Sequence, residues 1–496
     1  MGIIQRQGIR GALTSYLGVV IGTLNVLWLY PKLLQPGEIG LLRGLADFAA
    51  IVVPFVVLGA SPVCIRYFPM FKDEARRHNG FLSLLLLVPL IGFALFTLIF
   101  FLTSGWLQDF FAAKSALFSQ YLYLVLPLCF CLMYYTVLES YSRSLHKIVV
   151  PAFINEVLVR LGILATVTLY AVLNMQQNSL LYGYVGVYAL ALLLIITYIH
   201  YLKAWQTPTY IDAKVLTKIP EMGNYAFFVL LGSVGAMIVG KIDSLMVIKM
   251  VGLTDGGVYS IALFIGTVIE IPRRAISQIS APVIAHQIAR QEMDALANLY
   301  RRISINQTVV GLLLLLGIWA NVDNLFALMP NGQVYAAGKY VVLFIGLAKL
   351  IDMSTSINNE IITLSKYYRY HLFMMLLLVT LTIGANLLLI PRWGITGAAL
   401  ASVIALFVFN LVKYLFIWAV MKMQPFTLHT AGAFLVAGIT WGVNLLLPRL
   451  PHVALDLAVR SAVVGGVFVT LVILLHISPD ANNMFTKMLN RLTGKR

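Results

Sequence analysis

The chain is predicted to fold as an all-α integral membrane protein with about 14 transmembrane helices, and three features carry that prediction. Of its 496 residues, 60% are hydrophobic and only 11% are charged, whereas soluble domains carry about a quarter charged residues. Apolar runs of roughly 20 residues, the length that crosses a hydrocarbon core, recur along the whole sequence. The charges that fall inside these runs, among them Lys241, Asp243, Glu270, Arg273, Arg274, Lys349 and Asp352, are few and clustered. A charge facing lipid is costly, so these side chains should face one another or a wet interior.

Taken in order, the apolar windows lie near 9–31, 40–65, 80–103, 117–140, 149–173, 180–202, 225–250, 256–280, 303–328, 335–363, 370–391, 395–421, 428–447 and 454–477. An even number of spans puts both termini on one side. The basic excess agrees: roughly 23 Lys and Arg residues fall on the side of the termini, about 8 on the other and about 4 within spans, the bias that marks the cytoplasmic face. Both ends are therefore expected in the cytoplasm. Lys72, Arg76 and Arg77, then Arg290, Arg301 and Arg302, and finally Lys487, Arg491, Lys495 and Arg496 are read as topology signals, with no nucleic-acid role. Arg6 and Arg10 lead straight into a full-length span without a small-residue cleavage site, so the first span is expected to stay. Cys64, Cys129 and Cys131 all lie in apolar segments and are read as core packing. No HExxH or comparable pair of metal ligands appears, and no metal or other cofactor is expected.

The longest polar interval, residues 203–221, divides the chain. The expected organisation is an N-terminal six-helix bundle over 1–202, a cytoplasmic linker over 203–221, a second six-helix bundle over 222–423, and two additional helices with a basic tail over 424–496. The bundles look related. Leu34-Gln-Pro-Gly-Glu-Ile-Gly40-Leu-Leu resembles Val251-Gly-Leu-Thr-Asp-Gly-Gly257-Val-Tyr at an offset of about 217 residues, and Ser144-Leu-His-Lys147 pairs with Leu364-Ser-Lys366 at nearly the same register. Six spans separate corresponding points, so the repeats share one orientation, as pseudo-symmetric parallel repeats about an axis along the membrane normal would. A cavity between the two bundles is expected.

Glu270-Ile-Pro272-Arg273-Arg274 stacks one carboxylate and two guanidiniums on a single helix face. The second Arg leaves a positive charge that requires an anion, water or another helix, and Pro272 removes a helical hydrogen bond at the same place. Two residues turn a helix through about 200°, so Lys241 and Asp243 should point to nearly opposite sides. Asp243 is then available to tie its span to the next through Arg273 or Arg274. Lys349, Asp352, Ser356, Asn359 and Glu360 form a polar stripe along one span. Glu156 with Arg160, and Arg43 with Asp47, are four-residue pairs read as local ion pairs. Trp28, Tyr30, Trp106, Tyr121, Tyr123, Tyr367, Tyr368 and Tyr370 sit at span ends as interface anchors. Gly18 and Gly22 make a GxxxG that permits close helix approach.

Together the spans, the tandem units, Lys241-Ile-Asp243, the stretch from Val251 to Ala262 and Ser365-Lys366 resemble the oligosaccharide flippases, the Wzx-like polysaccharide biosynthesis proteins of the MOP exporter superfamily. The resemblance covers essentially the whole chain. It implies a non-enzymatic flippase of the bacterial cytoplasmic membrane that moves an undecaprenyl-pyrophosphate-linked oligosaccharide to the outer leaflet by alternating access. Its partners would be membrane lipids and glycan polymerase or assembly proteins. It further implies that Lys241, Arg273, Arg274 and Lys349, with Arg66 at the approach, hold phosphate and acidic sugars. Asp243, Glu270 and Asp352 are the carboxylates available for coupling to a proton or sodium gradient. A lipid II flippase of the MurJ type shares these features, and a MATE-type cation-coupled exporter shares the two bundles but commonly stops at twelve spans. A membrane-embedded glycan polymerase would need a large outward loop, whereas the expected outer connections are roughly 3 to 15 residues.

Overall fold

In the computed structural model the chain is described at residues 14, 17–73, 77–205, 211–483 and 486. Arg6, Arg10, Arg76 and the tail residues Lys487, Arg491, Lys495 and Arg496 lie outside the described residues. The described residues form helices and no strand, and 11 helical runs are long and apolar enough to cross a membrane. The protein is thus an all-α, multi-pass membrane protein, the architecture in which each span satisfies its own backbone hydrogen bonds without water.

By its contacts the chain divides into two compact units, Met1–Ser260 and Ile261–Arg496. The first holds α1 (Leu17–Leu33), α2 (Pro36–Val57), α3 (Ala60–Phe71), α4 (Phe81–Tyr121), α5 (Val125–Ser144), α6 (Val149–Val172), α7 (Gln177–Tyr201) and α8 (Ile219–Met250). α9 (Leu253–Thr267) carries the chain across the unit boundary. The second unit continues with α10 (Ile271–Ala289), α11 (Met293–Ala320), α12 (Val322–Leu328), α13 (Lys339–Thr355), α14 (Asn358–Leu364), α15 (Tyr368–Phe416), α16 (Leu428–Leu446) and α17 (Val453–Leu474). The division expected at 203–221 follows a polar interval in the sequence, whereas these units follow packing: α8 lies in the first unit, against α2, α3 and α4.

Local sequence sets where helices start and break. Pro36 occupies the first turn of α2, and the Gln35 N–H donates to Glu38 Oε2 at 2.8 Å, closing a capping box. The window expected as one span over 40–65 is two helices, because Leu58 and Gly59 both take left-handed φ values of 50° and 76°. α4 and α15, at 41 and 49 residues, exceed the ~20 residues of one crossing. Each is broken, α4 at Ser115 and α15 at Trp393–Gly394. The loop expected over 104–116 is accordingly helical as far as Ser115. The stripe-bearing span is also interrupted, at Ser356 (φ 49°, ψ −109°) between α13 and α14. Pro272 does not bend a continuous helix; it opens α10 after a short turn at Val268–Glu270.

Two pairs of glycine contacts explain sequence signals. A Cβ on Gly18 would stand 2.7 Å from the Glu156 carbonyl oxygen and one on Gly22 2.7 Å from Arg160 Nη1, so the GxxxG face is where α1 meets α6. In the repeated motif, a Cβ on Gly40 would stand 2.1 Å from the Leu253 carbonyl oxygen, and one on Gly257 1.9 Å from that of Pro36. The offset of about 217 residues carries Pro36 onto Leu253 and Gly40 onto Gly257, so each glycine rests on the carbonyl equivalent to the one its counterpart meets.

The second unit is built around α11, which packs on α10, α13, α16 and α17, with Ile305, Leu312, Leu350, Met353, Val436 and Phe468 in the core. The last two helices carry a buried ionic clamp. Arg460 Nε donates to Asp456 Oδ2 at 3.1 Å and its Nη1 to Asn444 Oδ1 at 3.0 Å, while Asp456 accepts from Asn324 Nδ2 at 2.6 Å and the Leu450 N–H at 2.9 Å. Cys64, Cys129 and Cys131 are free, buried thiols.

Replacing Gly40 or Gly257 with Ala should lower stability by about 1–3 kcal/mol through overpacking. Gly384→Ala, where nothing lies within 4 Å of an added Cβ, should not. Thermal unfolding of the purified proteins in detergent checks this, and equal midpoints would contradict the close contact.

Candidate functional site

Each unit encloses charge within membrane-length helices. In the first, Arg43 and Asp47 lie one turn apart on α2, and Arg43 Nε donates to Asp47 Oδ2 at 3.0 Å. Lys241 comes from α8 to the other oxygen, with Nζ 2.8 Å from Asp47 Oδ1. The Asp47 side chain is 2% exposed. The expected local pair is therefore a three-member bridge that ties α8 to α2 and holds two cations on one carboxylate. Asp243, two residues along α8, is buried.

The Glu156–Arg160 pair also does more than bridge its own helix. Arg160 Nη2 lies 2.6 Å from Glu156 Oε2, its Nη1 donates to the Gly18 carbonyl, and Asn25 Nδ2 donates to the Arg160 carbonyl at 3.0 Å. Arg66 is exposed on α3 with its guanidinium 4.3 Å from the Tyr225 ring centroid and 5.4 Å from that of Tyr67. Tyr67 Oη donates to Glu221 at 3.2 Å, and Lys218 Nζ lies 2.7 Å from the same carboxylate.

The second unit gathers Glu270, Arg273, Arg274, Lys349 and Asp352. The sequence puts Glu270 on one face with Arg273 and Arg274, and those pairs exist, but at 3.8 and 3.6 Å. The short contacts run between elements: Lys349 Nζ to Glu270 Oε2 at 2.6 Å and Arg273 Nη1 to Asp352 Oδ2 at 2.8 Å. Lys349 and Asp352 stand three apart on α13, so that helix offers one cation and one anion to the Glu270–Arg273 turn and locks it from one side. Arg274 stays 68% exposed, against 17% for Arg273 and 24% for Lys349.

Three further residues complete this cluster. Asn410 on α15 donates from Nδ2 to Asp352 Oδ1 at 3.2 Å, while its own oxygen accepts from Thr355 Oγ1 at 2.9 Å and Asn358 Nδ2 at 3.2 Å. Glu360 accepts from Ser277 Oγ. Lys413 is 1% exposed and interacts through space with Asp352, Glu360 and Arg273. Asn410 and Lys413 escaped the sequence reading, although their three-residue spacing inside the apolar window 395–421 is a polar stripe of the same kind as that in α13. The break at Ser356 turns Asn358, rather than Asn359, toward Asn410. Arg273, Arg274, Lys349 and Lys413 outnumber Glu270, Asp352 and Glu360, so the cluster is positive when all are ionised.

The family described as "Polysaccharide biosynthesis protein" matches residues 10–287, more than half of the chain. The uncharacterized membrane protein MJ1068 of Methanocaldococcus jannaschii is 21% identical over 495 aligned residues, covering 93% of this chain and 94% of that one. The lipid II flippase MurJ, in an inward closed conformation, is similar with a TM-score of 0.74 at 12% identity, covering 94% of this chain and 99% of that chain. An inward-facing multidrug resistance MATE family transporter of the MOP superfamily is similar with a TM-score of 0.64 at 15% identity, covering 82% and 94%. At such identities the likeness to the solved structures is one of fold.

Asp47→Ala should destabilise the protein by about 3–5 kcal/mol, because it strands two cations at once. Lys241→Met should cost less, since Arg43 remains on the carboxylate. Midpoints of thermal unfolding compare the two, and equal losses would rule out a shared acceptor.

Proposed function

The chain belongs to the polysaccharide biosynthesis protein family, and on that premise we propose that it moves an undecaprenyl-pyrophosphate-linked oligosaccharide from the inner to the outer leaflet of the bacterial cytoplasmic membrane by alternating access. A fold shared with a flippase and a transporter of the MOP superfamily supports the reading. The observation that carries it is the exposed guanidinium of Arg274 on a cluster with excess positive charge. A guanidinium can hold two phosphate oxygens at once, and a diphosphate crossing hydrocarbon has few other stable positions.

In this reading Arg274 makes the first contact with the headgroup, Arg273 and Lys349 deepen the positive field behind it, and Lys241 supplies a second basic point in the other unit. Arg66 meets the headgroup on approach. Glu270 and Asp352 hold the basic groups in place, and with Asp243 they are the carboxylates proposed for coupling to a proton or sodium gradient. Membrane lipids surround the protein, and glycan polymerase or assembly proteins take its product. Lipid II is a second substrate reading, favoured by the TM-score of 0.74 with the MurJ structure; it differs in the sugar rather than in the phosphate chemistry.

Arg274→Ala should reduce export of surface glycan by about ten- to a hundredfold, the worth of a hydrogen bond to a charged group, and leave thermal unfolding unchanged. Arg273→Ala/Arg274→Ala should abolish export while the protein still inserts. Normal surface glycan in cells carrying the double variant would overturn the headgroup assignment.

A further inference from the structure

Lys413 is a deeply buried charge. It is 1% exposed, and no carboxylate stands within ion-pair distance of it among the described residues. Its ammonium lies 4.0 Å from the centroid of the Phe409 ring, one turn earlier on α15. A ring face compensates a buried ammonium only in part. The neighbouring carboxylate, Asp352, is already bonded at both oxygens, by Arg273 and by Asn410. Other charged or titratable groups facing this cluster are Glu360, Lys349, Glu270, Arg274 and His371. Meanwhile Arg273 is not saturated: its Nε is buried without a partner.

We propose that Lys413 is the stand-by counter-ion of Asp352. When Arg273 turns from Asp352 to an anionic phosphate headgroup, Lys413 takes the carboxylate oxygen that Arg273 leaves. The inference rests on the phosphate-bearing substrate proposed above and assigns a role to a side chain too deeply buried to meet that substrate. Without a replacement, each engagement of Arg273 would strand Asp352, itself 9% exposed, as an unpaired charge away from water. Asn410 keeps the carboxylate in place during the exchange, because Thr355 and Asn358 fix its amide. Lys413 is thus a positioning residue, acting on the substrate through Asp352 and Arg273.

Binding to the full-length protein in lipid nanodiscs tests this, with a polyprenyl pyrophosphate as probe and the uncharged polyprenol as comparator. Lys413→Met should weaken binding of the pyrophosphate by about tenfold, within the usual range of coupling between sites, and leave polyprenol binding unchanged. Lys413→Arg should retain binding. Asp352→Asn placed in the Lys413→Met background should restore it, because no carboxylate is then left to strand; a purely structural Lys413 predicts no such rescue. The rescued double variant also keeps the test decisive where Lys413→Met alone folds poorly. Wild-type preference for pyrophosphate with an unaltered Lys413→Met variant, or a loss that Asp352→Asn does not relieve, overturns the role of Lys413 alone. A wild-type protein that does not distinguish pyrophosphate from polyprenol overturns the substrate reading and this role with it.

Discussion

A charged side chain inside a hydrocarbon slab has no water to turn to, and most of the polar architecture of this protein follows from that constraint. Asp47 is bonded by Arg43 and Lys241, Asp352 by Arg273 and Asn410, and Asp456 by Arg460, Asn324 and a backbone N–H. The partners come mostly from helices far apart in sequence. Lipid tails are as apolar as the helix surfaces they cover, so burial of apolar area drives helix association less than it does in water. Ionic contacts and close glycine approaches then decide which helices meet. Lys241 draws α8 to α2, Lys349 and Asp352 clamp the turn before α10, and the glycines of the repeated motif let α9 sit against α2.

The same pairs that hold the helices leave positive charge to spare. Glu270 is the counter-ion of Lys349, Arg273 and Arg274 together, and Asp47 of two cations. Carboxylates used this way are scaffolding for guanidiniums and ammoniums, and they make the cationic groups stiff as well as affordable in a medium of low dielectric. Stiffness suits recognition of phosphate, where two oxygens must meet donors in fixed geometry. Exposure is graded across the cluster, falling from Arg274 through Lys349 and Arg273 to Lys413.

Breaks in the helices serve the cluster too. At Ser356 the backbone leaves the helix through a left-handed φ and begins again at Asn358. The interruption brings the Thr355 hydroxyl and the Asn358 amide onto Asn410, which in turn bonds Asp352. Irregular backbone at membrane depth is tolerated where protein surrounds it, and here Ser356 and Asn358 are 2% and 0% exposed.

The family resemblance, the all-helical membrane architecture and five residues of the second-unit cluster, Glu270, Arg273, Arg274, Lys349 and Asp352, were legible from one sequence. Composition and run length are properties of the chain itself, and the three- and four-residue spacings of Glu270 with Arg273 and Arg274 act within a single turn. The partners were not legible. Helical periodicity says which side chains share a face, not which face of another helix they meet, so the Lys241–Asp47 bridge, the closeness of Lys349 to Glu270 and the burial of Lys413 appeared only in the folded chain. Glycine behaved the same way: the repeated motif could be read directly, but its reciprocal seat on the carbonyls of Pro36 and Leu253 is a distance between segments about 217 residues apart, and only tertiary packing sets such a distance.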